Sequence, residues 1–83
     1  MTVLYFAWLR ERMGREEESL TLPPGVDTVA GLIEWLRARD PAGAAAFASG
    51  APIRAAVNQA FATPGTPLTD GDEVAFFPPV TGG

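Results

Sequence analysis

An 83-residue chain is one domain, and folding it buries only about 60% of the surface its unfolded form exposes. Cys and His are both absent, which excludes disulfides, thiolate metal sites, thiol catalysis and the usual general base, and leaves oligomerisation as the extra source of stability for so small a core. The net charge of −4, with all six basic residues Arg and no Lys, argues against nucleic-acid binding and leaves no side-chain amine for a Schiff base or an isopeptide bond.

Thr2–Ala7 (TVLYFA) is rich in β-formers and predicts a strand, with Val3 and Tyr5 on one face and Thr2, Leu4 and Phe6 on the other. Trp8–Met13 carries good helix formers, Glu11 and Arg15 stand at i,i+4, and Gly14 suits a helix end. Glu17–Leu22 alternates polar and apolar residues and predicts a second strand, with which the first forms a hairpin; Pro23-Pro24-Gly25 ends it. Asp27 or Thr28 supplies the cap of a helix from Val29 to about Arg39. Val29, Leu32, Ile33 and Leu36 form its single apolar stripe, and Asp40-Pro41 stops it. Ala42–Ala48 reads as a further short helical turn beneath the sheet edge. Ile53–Asn58 predicts a third strand, with Ile53, Ala55 and Val57 inward and Arg54 outward, and Asn58-Gln59 turns it into a short fourth strand over Ala60–Thr63. A turn at Thr69-Asp70-Gly71-Asp72 leads into the last strand, Glu73–Phe77, which pairs with the first. Because Glu73 is not buried unpaired, Val74 and Phe76 face the core and Phe77 faces out. Phe6, Phe77 and Phe61 then share an exposed aromatic face fit for a partner. The order is α+β: a mixed sheet of about five strands with one main helix packed across it.

With only carboxylates, hydroxyls and Arg available, the body offers little chemistry. Glu16-Glu17-Glu18 reads as a solvated lead-in to the second strand, and Arg10, Arg12 and Arg15 as solvated helix surface. Asp70-Gly71-Asp72-Glu73 lacks the ligand spacing of a calcium loop, and no metal site is expected. No apolar run approaches the about 20 residues that span a membrane, and the N-terminus lacks a charged region before its apolar stretch; the expectation is a cytoplasmic protein without membrane contact. Residues 1–77 form the domain, which reads as a carrier or an adaptor, and 78–83 an extended tail.

The tail carries the chemistry. A Gly-Gly ending occurs by chance in roughly 0.5% of chains. Pro78-Pro79 favours an extended, semi-rigid exit from the last strand. Pro78 to Gly83 reaches about 20 Å at ~3.3–3.6 Å per residue, enough to thread a narrow channel in another protein. Gly82 and Gly83 let such a channel close on bare backbone and leave the terminal carboxylate sterically open. That carboxylate can attack ATP to form an acyl adenylate, from which a sulfur donor displaces AMP to leave a thiocarboxylate. The nucleophile is then made on the main chain, in a protein without a thiol.

The run Leu68-Thr69-Asp70-Gly71-Asp72-Glu73-Val74-Ala75-Phe76-Phe77-Pro78-Pro79-Val80-Thr81-Gly82-Gly83, together with Ala56-Val57-Asn58-Gln59 and Val3-Leu4-Tyr5-Phe6-Ala7, closely resembles the MoaD family, the small subunits of molybdopterin synthase. The resemblance implies a ubiquitin-like β-grasp fold. It implies a sulfur carrier, not itself an enzyme, whose Gly83 is adenylated by an ATP-dependent, ubiquitin-activating-like adenylyltransferase and then receives sulfur from a donor protein; no cofactor is bound by the chain itself. It further implies a complex of two small and two large subunits, with the acid–base residues in the large subunit. There the sulfur passes to cyclic pyranopterin monophosphate to build the dithiolene of molybdopterin. The resemblance makes Gly83 and Gly82 the reacting end, and places Phe77, Phe6, Phe61, Pro78, Pro79, Val80 and Thr81 against the partner. A related carrier for thiamine-thiazole sulfur or tRNA thiolation shares the fold and the Gly-Gly end, and a plain ubiquitin-like interaction module shares the fold with an inert tail. The run FFPPVTGG favours the pterin pathway.

Overall fold

A computed structural model of the chain describes residues 1–48 and 50–79. Strands β1 (Thr2–Tyr5) and β5 (Glu73–Phe77) each alternate buried and less-buried residues, as a strand covered on one face does. Val3, Tyr5, Val74 and Phe76 are buried, and Leu4, Ala75 and Phe77 stand partly covered on the other face. The two strands pair in parallel, Thr2 with Glu73 through Tyr5 with Phe76. β5 pairs on its other side, antiparallel, with β3 (Arg54–Val57), and β3 pairs with β4 (Ala60–Ala62). β2 (Glu17–Ser19) lies antiparallel to β1, so the order is β2-β1-β5-β3-β4. This is the five-stranded mixed sheet of the β-grasp, with one main helix on its inner face.

That helix, α2 (Val29–Arg39), begins where Thr28 Oγ1 accepts the Gly31 N–H at 3.1 Å. Val29, Leu32 and Leu36 are buried against the sheet, and Ile33, on the expected stripe, is half-buried at its margin. α2 stops at Asp40 because Pro41 disfavours a helical residue before it. The Asp40 carboxylate then caps α3 (Pro41–Ala46) by accepting the Gly43 N–H at 2.7 Å. A Cβ at Gly43 would overlap the Leu36 carbonyl, so α2 and α3 meet backbone to backbone. Phe47, at the end of α3, packs edge-on to Phe76 (5.1 Å between ring centroids) and Tyr5 (6.4 Å), in the geometry aromatic pairs prefer.

Several expectations change. α3 packs on α2 and on α1 (Trp8–Met13) instead of beneath the sheet edge, because Phe47 and Ala46 anchor it in the core. β1 and β2 do pair antiparallel as expected, with the expected short helix α1 between them, closed by Gly14 in the left-handed region at φ 73°. β1 ends at Tyr5, and Ala7 (φ 54°) turns the chain into α1. β2 stops at Ser19; beyond it the Leu22 N–H donates to the Asp70 carboxylate at 2.6 Å, a bond to a distant turn that no local pattern foreshadows.

Glu18 is not the solvated residue its acidic neighbours suggest. Opposite Val3, it points inward, and its side chain is 9% exposed. Its carboxylate accepts from the Tyr5 hydroxyl at 2.6 Å and from both terminal nitrogens of Arg39 at 2.7 and 2.9 Å, with Arg15, not paired to Glu11, at 3.2 Å. The Arg39 hydrogen bonds hold the carboxyl below the ordinary carboxylate range, against the opposing effect of burial. Burial, and then the Glu18 carboxylate, hold the Tyr5 phenol protonated well above the ordinary phenol range.

A folded-state carboxyl pKa below the unfolded one gives stability that is fully present above the unfolded value, about pH 4.3, and is lost as pH falls through the lower folded value. Melting curves of the wild type should therefore drop below about pH 4, and Glu18→Gln should flatten that drop. At pH 7, Glu18→Gln should cost about 1–3 kcal/mol, the scale for hydrogen bonds to a charged group. Gly43→Ala should cost about 1–3 kcal/mol through overpacking, read as a lower urea midpoint with an unchanged slope.

Candidate partner-docking site

The outward face of the sheet leads to the tail. β5 ends at Phe77 because Pro78 and Pro79 have no N–H to continue the ladder. Phe77 lies opposite Arg54 on β3. Two pairs further along, on the same face, Ala56 lies opposite both Ala75 on β5 and Phe61 on β4. The Phe61 and Phe77 rings meet across β3 at 6.1 Å, tilted by 53°, and the small Ala56 beneath leaves them room. Phe61 is still 89% exposed. Phe77 is only half-buried, because Phe61 covers one side of it; the expectation of a freely exposed Phe77 is corrected to that extent.

Phe6 follows Tyr5, the register partner of Phe76, and its N–H donates to the Phe76 carbonyl at 3.1 Å. It therefore stands at the same end of the sheet as Phe77, 49% exposed. Pro78 and Pro79 are half-buried. Between Phe61, Phe77 and Pro79 lies an open groove of about 380 Å³, completed by Arg54, Ala55 and Ala62. Arg54, Ala55 and Ala62 were not among the expected docking residues. Period-two alternation puts Arg54 outward, but only the β3–β5 register sets it beside Phe77. Val80, Thr81, Gly82 and Gly83, the remaining expected site residues, lie outside the described residues.

The loop expected to be turn chemistry behaves so. Asp72 accepts from the Thr69 N–H at 2.8 Å and from the Asn58 amide at 3.0 Å, and the Thr69 backbone donor is the first cause holding its carboxyl below the ordinary range. Asn58 and Gln59 both adopt left-handed backbone, the conformation of a two-residue β-hairpin turn. Among the described residues no group of three His, Cys, Asp or Glu is placed to hold a metal ion, and no helix is long and apolar enough to cross a membrane.

The chain matches the ThiS family over residues 3–83. It is 44% identical over 81 residues to the molybdopterin synthase sulfur carrier subunit of Escherichia coli, covering 98% of this chain and 96% of that protein. It is 35% identical to the protein of the same name from Haemophilus influenzae, covering 100% of this chain and 99% of that one. A solved structure from Pyrococcus furiosus, provisionally assigned as subunit 1 of molybdopterin converting factor, superposes with a TM-score of 0.77 at 33% identity over 95% of each chain. From its matching sequence, length and β-grasp topology together, the chain belongs to the ThiS family, in its MoaD group.

Proposed function

We propose that this chain is the sulfur-carrier subunit of molybdopterin synthase, and that the Gly83 carboxylate is the group that carries the sulfur. The observation that carries the reading is the position of β5. It lies inside the sheet, hydrogen-bonded on both sides, and ends beside an aromatic groove where the sequence continues as Pro78-Pro79-Val80-Thr81-Gly82-Gly83. Near full-length likeness to two molybdopterin synthase sulfur carrier subunits supports it.

In this reading the Gly83 carboxylate attacks the α-phosphate of ATP on an adenylyltransferase and pyrophosphate leaves. A sulfur donor attacks the resulting acyl adenylate, AMP leaves, and the thiocarboxylate remains. The aromatic face then docks on the large subunit, in an assembly of two small and two large subunits, and Pro78 to Thr81 thread toward its pocket. There the sulfur is passed to cyclic pyranopterin monophosphate. The large subunit supplies acid–base groups, which suits a carrier with no His, Cys or Lys. The chain holds no cofactor, and ATP belongs to the activating enzyme.

Mass spectrometry after incubation with the adenylyltransferase, ATP and sulfide should show the mass gain of one oxygen-to-sulfur exchange at the C-terminus. Adding the large subunit and cyclic pyranopterin should consume it. Persistence of the thiocarboxylate under those conditions would move the chain to another thiolation pathway. Deleting Gly83, or appending one residue, should abolish the mass gain. Gly82→Val should slow activation or transfer strongly, because a side chain narrows the fit of a close-walled channel.

Phe77→Asp should weaken binding to the large subunit at least about tenfold, since burying one Phe contributes roughly 1.5–3 kcal/mol, while the melting temperature stays near wild type. Phe76→Asp should unfold the domain, because it places a charge where the wild-type ring is fully buried. Calorimetric titrations and melting curves on both variants check the assignment of strand faces.

A further inference from the structure

Four of the six Arg side chains are engaged inside the molecule. Arg15 and Arg39 hold Glu18, Arg37 pairs with Glu34, and Arg12 lies over the Trp8 ring at 4.5 Å. Arg54 differs. It is exposed, and it makes no side-chain hydrogen bond, ion pair or ring contact with any described residue. It is also the single charged residue lining the groove with Phe61, Phe77 and Pro79. The acidic residues of the outward face stand elsewhere. Glu73 is at the opposite end of β5, four residues from Phe77 and about 13 Å away at ~3.3 Å per residue, and Glu17 is on the far edge strand β2. The outward face thus carries positive charge at the tail exit and negative charge away from it, on a molecule of net charge −4.

A partner that covers Phe61 and Phe77 also takes the Arg54 guanidinium out of water. An unpaired buried guanidinium opposes docking, whereas a carboxylate facing it is met by a planar fork of donors in bidentate geometry. Resting on the reading above, we propose that Arg54 is the orienting contact of this interface, and that the large subunit presents an Asp or Glu side chain to it within an otherwise apolar footprint. Aromatic burial supplies affinity but little direction. A single cation at the root of the tail fixes which way round the domain sits, so that Pro78 onward faces the channel mouth. The polarity of the face makes the reversed orientation unfavourable, because it would bring Glu73 to the partner's carboxylate.

The test is calorimetric titration of the full-length chain and its Arg54→Leu and Arg54→Glu variants into the large subunit at about 50 and about 500 mM salt, where exposed charges are screened to different extents. The wild type is expected to bind more weakly at high salt. Arg54→Leu is expected to lose most of that dependence whatever its affinity, since an apolar replacement of an ion pair is often neutral. Arg54→Glu is expected to bind at least about tenfold more weakly at low salt, and melting temperatures should be unchanged because Arg54 is exposed. An unchanged salt dependence in Arg54→Leu, or wild-type affinity in Arg54→Glu, overturns the proposal and leaves the sulfur-carrier reading standing. A salt effect tied to Arg54 only with the adenylyltransferase, or only in self-association measured by sedimentation, assigns the groove to that partner or to a second copy and overturns it equally. No binding by the wild type overturns the large subunit as partner, and this inference with it.

Discussion

The functional end of the molecule depends on β5 pairing with β1 and β3 at once. A strand paired on both sides has its backbone donors and acceptors satisfied along its length, so it is among the last parts of a small sheet to fray. Its inward residues, Val74 and Phe76, are fully buried, which fixes the register: a one-residue slip would put Ala75 and Phe77 in the core and turn Val74 and Phe76 out to water. Two prolines then end the ladder at a defined residue. Pro78 and Pro79 therefore leave the sheet from a fixed point.

The rest of the fold can be understood as support for that strand. The chain has no disulfide, and a core of this size leaves little margin. Three aromatic rings, Tyr5, Phe47 and Phe76, fill its centre, one each from β1, the end of α3 and β5. The Tyr5 hydroxyl reaches the rim of the core and is satisfied there by Glu18, which Arg39 holds from α2 and Arg15 from the loop after α1. One carboxylate thus links the edge strand β2, the central strand β1 and the main helix. The arrangement leaves no buried side-chain polar atom without a partner among the described residues, as a core this small requires.

The proposed chemistry and the fold divide the work cleanly. In that chemistry the reacting group would be a main-chain carboxylate, and the domain would have no catalytic constellation to build. In that proposal its task is to offer a surface that a partner can grip where the tail begins. Phe61, 89% exposed on an edge strand, would be a liability in a protein that acts alone. Beside Phe77 and Arg54, where β5 ends, it fits the proposed docking face.

Much of this was legible from the residues. The α2 limits follow from Thr28, the stripe Val29-Leu32-Leu36 and Asp40-Pro41, because caps, helical periodicity and proline act within a few residues of one another. The inward and outward faces of β1, β3 and β5 follow from period-two alternation. Long-range geometry decided the remainder. Nothing local distinguishes Glu18 from Glu16 and Glu17; its role arises because the β1–β2 register turns it toward Tyr5 and Arg39, 13 and 21 residues away in sequence. Phe47 sat in an Ala-rich stretch with no pattern to mark it as core, and it is buried because Gly43 lets α3 lie close on α2. Arg54 was plainly outward-facing from its strand, yet its neighbours Phe61 and Phe77 come from two other strands. Sequence determined which residues face which way. Only the tertiary structure decided which of them meet, because strand register and helix packing are set by contacts between segments far apart in the chain.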